Sequence, residues 1–369
     1  MGSMPADGHL DLLPLTVASL VAGVETGLHL GAQVAVARLG RPEEVFDVVV
    51  GWRGPQRATP LDRRDLLPWS STVKPVMAVA LAQLAERGRI SFEDAVSKHV
   101  MEFGANGKRA VTILQVLLHT AGFPFAGVGL ASQAEILEAC LRAELDWPSG
   151  TRCCYHLTGW VVLAELVRRV DGRPYRKYVR EEIFAPLGML DCFVGMCDED
   201  YLAYRERLAP LLVKSRGSDW RMPGESDEDP RAGDPGGGGC GPAAQLVRLF
   251  AALQPGSALG LSDAMLRFLR RPLRQGMVDE LQGAEMAWSC LGVVGRVSLT
   301  GQLASAEAVA HGGSQSSAVW CDPSTGWCCA VICNGKPGAA EHYARMDSIA
   351  TSVCEDLASV PAVAAAAGS

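Results

Sequence analysis

The chain has 369 residues, of which 48% are apolar and 20% charged, and a net charge of −7. This length and composition allow a large core in one domain or in two interleaved ones, which excludes a disordered scaffold. The negative charge, without a basic patch interleaved with aromatic residues, argues against nucleic acid as a partner. No segment reaches the ~18 continuous apolar residues of a membrane span, so no membrane partner is expected.

The first predicted elements are two strands, 33–39 and 45–51, joined by a turn at Gly40-Arg41-Pro42. A mainly helical region follows, with helices predicted at 76–87, 112–118, 133–144, 159–170, 175–184 and 243–253. Within it, residues 216–241 are rich in Gly, Pro, Asp and Glu, which predicts a long mobile loop. Strand patterns return at 287–294, 296–300, 317–322 and 327–334, and a closing helix is predicted at 342–357. The Ala-rich tail after Pro361 is predicted to be frayed.

This order of elements predicts an α+β fold. Strands from the two ends of the chain, residues 4–75 and 285–369, are expected to combine into one antiparallel sheet flanked by helices. Residues 76–284 are expected to form an inserted, mainly helical subdomain.

The cysteines and the N-terminal residues bear on the expected cellular location of the protein. Twelve cysteines lack regular metal-ligand spacing, which favours reduced thiols over a disulfide framework. A zinc site formed by Cys321, Cys328, Cys329 and Cys333 is the alternative, but these residues lie in apolar strand patterns, where cysteine acts as a small hydrophobe. Before the apolar stretch 12–22 there is no positively charged region, so a secretory signal is not predicted. We therefore expect a cytoplasmic protein without metal or cofactor.

The motif with the clearest chemistry is Ser71-Thr72-Val73-Lys74, at the start of the first predicted helix. A lysine three positions along a helix lies on the same face as the serine and can reach its hydroxyl, as a nucleophile requires. Taken alone, the tetrad is also what a helix-capping serine and a solvated lysine would give. Ser70, at i−4 from Lys74, is a second candidate for the nucleophile.

Two later motifs fit the same site. Tyr155 could relay a proton if a nearby ammonium lowered its pKa, although an ordinary half-buried tyrosine gives the same sequence. His311-Gly312-Gly313-Ser314 precedes a β-prone run. The glycine pair would let a substrate approach the backbone, so that the Ser314 amide could point at a carbonyl oxygen, or it could be only a bulge or turn.

Together these motifs resemble the serine β-lactamase and penicillin-binding-protein superfamily, and most closely its class C-like esterase and transacylase branch. Three further segments carry the resemblance. They are the run 111–122, similar to T-I-x-x-L-L-x-H-T-S-G, the run 183–189, which matches I-F-x-P-L-G-M, and the glycine-rich turn 235–241 before a helix. The resemblance implies a β-lactamase-like fold with the active site in the cleft between the sheet and the helical part.

The resemblance also implies roles for individual residues. Ser71 would be the nucleophile, and Lys74 and Tyr155 would share the proton traffic, with the choice of general base left open. The amides of Ser71 and Ser314 would form the oxyanion hole. The remaining expected substrate-binding residues are His311, Gly312, Gly313, Leu157, Phe123 and Trp160.

Departures from the family pattern narrow the substrate. Leu157 stands where Tyr-x-Asn motifs have the asparagine that binds a β-lactam or peptide. His311 stands where lactamases have the lysine of K-T-G, which weakens carboxylate binding or makes it depend on pH. Efficient β-lactam hydrolysis is therefore not expected.

The resulting hypothesis is a serine transacylase or carboxylesterase. It would take an acyl group from an ester, thioester or activated amide of a small metabolite and pass it to an amine, alcohol or water. The partners would be a small-molecule acyl donor and acceptor. The alternatives are a D-aminopeptidase, a weak β-lactamase, or a non-catalytic binding member of the fold.

Overall fold

A computed structural model describes residues 4–130, 132–214, 220–221 and 229–360. The predicted frayed tail after Pro361 lies outside the described residues, as does most of the first part of the predicted mobile loop 216–241.

The centre of the molecule is an eight-stranded antiparallel sheet. Its strands are β1 (Ala6–Gly8), β2 (Gly31–Arg38), β3 (Val45–Gly51), β11 (Trp288–Ser289), β12 (Gly292–Val294), β13 (Val309–Gly313), β14 (Ser317–Asp322) and β15 (Trp327–Cys333). Their order across the sheet is β1-β3-β2-β15-β14-β13-β12-β11. The two ends of the chain meet where β2 pairs with β15, with Val34 opposite Val331. The predicted α+β fold, with one sheet built from both ends, is confirmed.

Shorter strands lie outside this sheet. They are β4 (Leu67–Pro68), β5 (Phe193–Val194), β6 (Leu212–Lys214), β7 (Trp220–Arg221), β8 (Gly239–Gly241), β9 (Val278–Asp279), β10 (Ala284–Glu285) and β16 (Gly335–Lys336). β4, β8 and β5 pair beside the start of the helical region, and β9 and β10 form a hairpin.

The described residues also form ten α-helices. They are α1 (Pro14–Glu25), α2 (Lys74–Glu86), α3 (Ile113–Leu117), α4 (Gln133–Arg142), α5 (Gly159–Asp171), α6 (Tyr175–Val179), α7 (Asp198–Tyr204), α8 (Ala243–Ala251), α9 (Asp263–Arg270) and α10 (Ala339–Ala358). α3 begins with the capping box of Thr112 and Gln115, which fixes its first turn.

β2 and β15 are apolar along nearly their whole length, so both faces of the sheet need to be covered by other elements. α1 and α10 pack against each other, and their buried residues share a core with one face of the sheet. α8 packs on β2, β14 and β15 from the other side. The predicted helical insert 76–284 thus includes one helix that covers the sheet, and the subdomain boundaries remain a prediction.

Two predicted strands are wrong. Residues 296–300 form a turn, because the Thr300 hydroxyl accepts a hydrogen bond from the Val297 amide (3.0 Å) and donates one to the Val297 carbonyl (3.0 Å). The predicted strand 287–294 is a hairpin of two short strands that reverses at Cys290 and Leu291.

The four cysteines of the alternative zinc site do not converge. Cys321 and Cys328 face the core under α8, and Cys329 and Cys333 face the core under α1 and α10. Successive residues of a strand point to opposite faces, which separates them. Among the described residues, no helix is both long and apolar enough to cross a bilayer.

Candidate active site

Ser71 and Lys74 are in direct contact. Ser71 lies in a 3-10 turn, Ser70–Val73, that leads directly into α2 at Lys74. The Lys74 Nζ donates a hydrogen bond to the Ser71 Oγ over 3.0 Å and another to the carbonyl of Gly236. The lysine is 1% exposed and the serine 8%, so the pair is nearly sealed from bulk water.

The turn is held in place from three sides. The Trp69 carbonyl accepts hydrogen bonds from Thr72 Oγ1 (2.7 Å) and Ser317 Oγ (2.6 Å), and the Trp69 indole donates to Gly241 (3.0 Å). Ser70 has a left-handed φ of 49°, and its hydroxyl lies 3.4 Å from that of Ser316. Lys74 therefore contacts Ser71, while Ser70 contacts a different partner.

Burial lowers the basicity of Lys74. Loss of solvation lowers its pKa from 10.5 to about 7, and the carboxylate of Asp234 partly opposes this shift. An amine that titrates near neutrality is deprotonated often enough to take a proton from a serine hydroxyl.

Tyr155 lies beside this pair, with its ring centroid 5.0 Å from the Lys74 Nζ. Burial raises the pKa of the Tyr155 phenol, and a hydrogen bond with the Ser71 side chain opposes that rise. The tyrosine thus stays protonated near neutral pH, which favours Lys74 as the base and Tyr155 as a group that donates or relays a proton.

The glycine pair brings β13 against the turn that contains Ser71. A Cβ on Gly313 would lie 2.3 Å from the Trp69 carbonyl oxygen and 3.2 Å from the Ser70 Cβ, so only glycine fits there. Ser314 follows and lines the same cavity as Ser71. This arrangement is compatible with an oxyanion hole made by the two serine amides.

His311 is buried on β13, with its Nδ1 2.9 Å from the Gly312 carbonyl oxygen. Burial, and then the nearby Lys74, lower its pKa to about 3. The imidazole is therefore neutral at physiological pH, so it does not replace the cation that the lysine of a K-T-G motif would supply.

These groups open into one cavity of about 550 Å³. Ser71, Tyr155, Leu157 and the segment from His311 to Ser314 line it, so the structure brings most of the predicted site together. Phe123 and Trp160, expected to line it as well, do not. Both side chains are 1% exposed. Phe123 packs against Phe103 in the core, and the Trp160 ring centroid lies 5.4 Å from the Lys74 Nζ.

Other lining residues were not predicted from the sequence. One wall comes from the segment 281–299, including Met286, Val293 and Leu299, and another comes from His342 and Tyr343 at the start of α10. Their positions depend on chain packing far from the motifs, and no local signal identifies them.

Two features behind Tyr155 were also not predicted. The ring of His119 lies 4.4 Å from that of Tyr155, with the histidine at a left-handed φ of 60°. Arg274 and Asp279 form a buried ion pair (3.6 Å), and Asp279 accepts a hydrogen bond from the Tyr155 amide (3.0 Å). His119 belongs to the H-T-A-G segment of the sequence, which was the one available signal.

Comparisons with known proteins bear on the family and the fold of the chain. The model of the Beta-lactamase family matches residues 19–351. The Esterase/beta-lactamase LipL of Mycobacterium tuberculosis is 33% identical over 197 residues, which cover 49% of this chain and 42% of that protein. The match therefore spans less than half of that relative.

Solved structures share the fold over nearly the whole chain. A penicillin-binding protein homolog from Caulobacter crescentus has a TM-score of 0.77 and 25% identity, covering 95% of this chain and 99% of its own. EstCE1, described as a hydrolase with promiscuous acyltransferase activity, has a TM-score of 0.76 and 18% identity, covering 92% and 98%.

Proposed function

Because the chain belongs to the Beta-lactamase family, we propose that it is a serine acyl-enzyme catalyst of the esterase and transacylase type. It takes an acyl group from an ester, thioester or activated amide of a small metabolite and passes it to water, an alcohol or an amine. The observation that carries the proposal is the 3.0 Å contact between Ser71 Oγ and a buried lysine whose pKa is about 7.

The proposed reaction has two steps. Neutral Lys74 takes the Ser71 proton as Oγ bonds to the substrate carbonyl carbon, and the amides of Ser71 and Ser314 stabilise the oxyanion. The bond to the leaving oxygen, sulfur or nitrogen then breaks, and this group leaves with a proton passed through Tyr155. In the second step the same residues work in reverse. Water, an alcohol or an amine loses a proton and attacks the carbonyl carbon of the acyl-enzyme. The bond from that carbon to Ser71 Oγ then breaks, and Ser71 regains a proton.

The substitutions in the family pattern support esters over β-lactams. Leu157 offers no amide to a peptide or lactam side chain, and His311 is neutral at pH 7. A weak β-lactamase or D-aminopeptidase activity is the second candidate, since relatives carry the names esterase/beta-lactamase and penicillin-binding protein. A non-catalytic binding role is less favoured, because a binding protein does not need Ser71, Lys74 and Tyr155 in mutual contact.

A cytoplasmic location and small-molecule partners belong to the same proposal. All twelve cysteines, which lie in the described part of the chain, are free thiols, and most are buried. This agrees with a reducing compartment.

Intact-mass spectrometry after incubation with p-nitrophenyl esters tests the proposal. The wild type should gain the mass of one acyl group, with the modified peptide containing Ser71, and an added amine should shorten the lifetime of the adduct. Ser71→Ala should gain none, while Ser70→Ala, its matched control, should still acylate. Acylation of Ser71→Ala together with its loss in Ser70→Ala would assign the nucleophile to Ser70, and the absence of any adduct or turnover would contradict the enzymatic proposal.

A further inference from the structure

Three large apolar side chains are left exposed around the mouth of the cavity. Leu157 is 50% exposed, Leu281 63% and Tyr343 43%, and each lines the cavity that contains Ser71. They come from three separate parts of the chain: the segment before α5, the β9–β10 hairpin and the second turn of α10. Single exposed hydrophobic residues are normal, but several around one opening form an apolar patch that a ligand would cover.

The apolar surface continues from the mouth into the cavity. Met286, Val293, Val297 and Leu299 form one wall, and the same residues contact the hydrophobic core beneath the sheet. Leu299 also packs on the backbone of Gly312, where a Cβ would lie 2.9 Å from its methyl group. The wall therefore reaches the strand that borders the nucleophile, so a chain attached to Ser71 could lie along it.

The cavity lining carries no full charge near neutral pH. Among the described residues that line it there is no Asp, Glu, Lys or Arg. His311 and His342 are the ionisable imidazoles, and burial lowers the pKa of each to about 3. Lys74 lies behind Ser71 and is not part of the lining. A substrate carboxylate or ammonium would therefore lose its hydration without gaining an ion pair, which is costly.

We propose that the cavity binds an uncharged, apolar acyl chain of medium length, which extends from Ser71 along the wall 286–299 to the rim formed by Leu157, Leu281 and Tyr343. This inference rests on the proposed acyl-enzyme function and specifies its donor. A longer acyl chain covers the rim residues, which are exposed in the free protein, whereas a short acyl chain does not reach them.

A series of p-nitrophenyl esters tests the length of the acyl group at a constant leaving group. From acetate through butyrate to octanoate, kcat/KM should rise by about fourfold for each methylene that leaves water, until the chain reaches the rim. The p-nitrophenyl monoester of succinic acid, which carries a carboxylate, should react much more slowly than the butyrate. Equal rates for acetate and octanoate, or a preference for the charged ester, would overturn the inference and leave the acyl-enzyme function in place. If no ester of the series acylates Ser71, the proposed function itself fails.

A comparison of octyl acetate with ethyl acetate separates the acyl side from the alcohol side. The inference expects only a small gain from the octyl group, since the wall is assigned to the acyl chain. A gain as large as that from acetate to octanoate in the first series would assign the wall to the alcohol instead.

Rim variants connect the selectivity to the named residues. Leu281→Ser should lower the ratio of octanoate to acetate kcat/KM by about tenfold, and Leu157→Ser should act in the same direction. Leu202→Ser is the matched control, because Leu202 is similarly exposed (61%) but lies on α7, away from the cavity. A ratio that is unchanged in both rim variants would remove the rim from the binding site.

Discussion

The Asp279 carboxylate accepts a hydrogen bond from the backbone amide of Tyr155, with an N–O distance of 3.0 Å. The same oxygen, Oδ1, also accepts hydrogen bonds from the amides of Leu281 (3.1 Å) and Gln282 (3.3 Å). One buried carboxylate thus fixes both Tyr155, the proposed proton relay, and the hairpin that forms part of the cavity rim. Its charge is balanced by Arg274, with both side chains at most 1% exposed.

Replacement of Asp279 by Asn should destabilise the protein by about 3 kcal/mol, because the buried Arg274 guanidinium then loses its counter-charge. Urea unfolding of the variant measures this loss. Asp263→Asn is the control, since the pair of Asp263 with Arg267 is exposed and should contribute less than about 1 kcal/mol. Equal stabilities of the two variants would mean that the buried pair does not hold this region together.

The catalytic pH dependence should follow Lys74. The lysine accepts a proton only when it is neutral, so kcat/KM for an uncharged ester should rise with pH through an apparent pKa of about 7. Lys74→Ala and Tyr155→Phe should each lower acylation by at least about 10²-fold. Only the lysine variant should also lose the rise with pH. A Tyr155→Phe enzyme nearly as active as the wild type would make the tyrosine structural.

The depressed pKa of Lys74 also predicts a change in stability with pH. Between about 7 and 10.5 the unfolded chain binds the lysine proton and the folded protein does not. This group therefore makes the protein more stable as pH rises across that window, and its burial is most costly below pH 7. Lys74→Met should remove this contribution, whereas the exposed control Lys98→Met should keep the wild-type slope. Identical slopes for wild type and Lys74→Met in urea titrations would contradict the buried-amine explanation.

The sequence predicted the parts of the site that are local in the chain. Ser71 and Lys74 are one helical turn apart, so their contact follows from spacing alone, and the paired glycines at 312 and 313 indicated the close approach of a backbone. Leu299 and Tyr343 could not be identified in this way, because tertiary packing alone brings them to Ser71.

The burial of individual side chains also decides points that the sequence alone leaves open. Phe123 and Trp160 are large apolar residues close to motifs in the sequence. Such residues can line a substrate pocket, but they can equally well belong to the hydrophobic core. His311 was expected to provide a charge that depends on pH, but its desolvation keeps it neutral. Residues 296–300 alternate like a strand, yet the Thr300 side chain satisfies backbone groups within a turn.

Replacement of His311 by Lys tests why β-lactams are not expected as substrates. The wild type should turn over nitrocefin, which carries a carboxylate, much more slowly than an uncharged ester. A cation at position 311 should raise the ratio of nitrocefin to ester turnover, and repulsion between two lysines should shift the pH profile to lower pH. His311→Gln, which stays neutral, is the control and should leave the ratio unchanged. Nitrocefin turnover by the wild type that equals its ester turnover would contradict the assignment.

Transfer of the acyl group should compete with hydrolysis. The acyl group would cover the wall 286–299 up to the rim that includes Leu157, which hinders the approach of water, whereas an uncharged acceptor can enter the same uncharged cavity. Amines or alcohols titrated at a fixed concentration of donor ester should shift the product from free acid to amide or ester, as measured by mass spectrometry. Apolar acceptors should do so at lower concentrations than charged ones of similar nucleophilicity. Product that remains free acid at every concentration, over a broad acceptor panel, would make the enzyme a hydrolase.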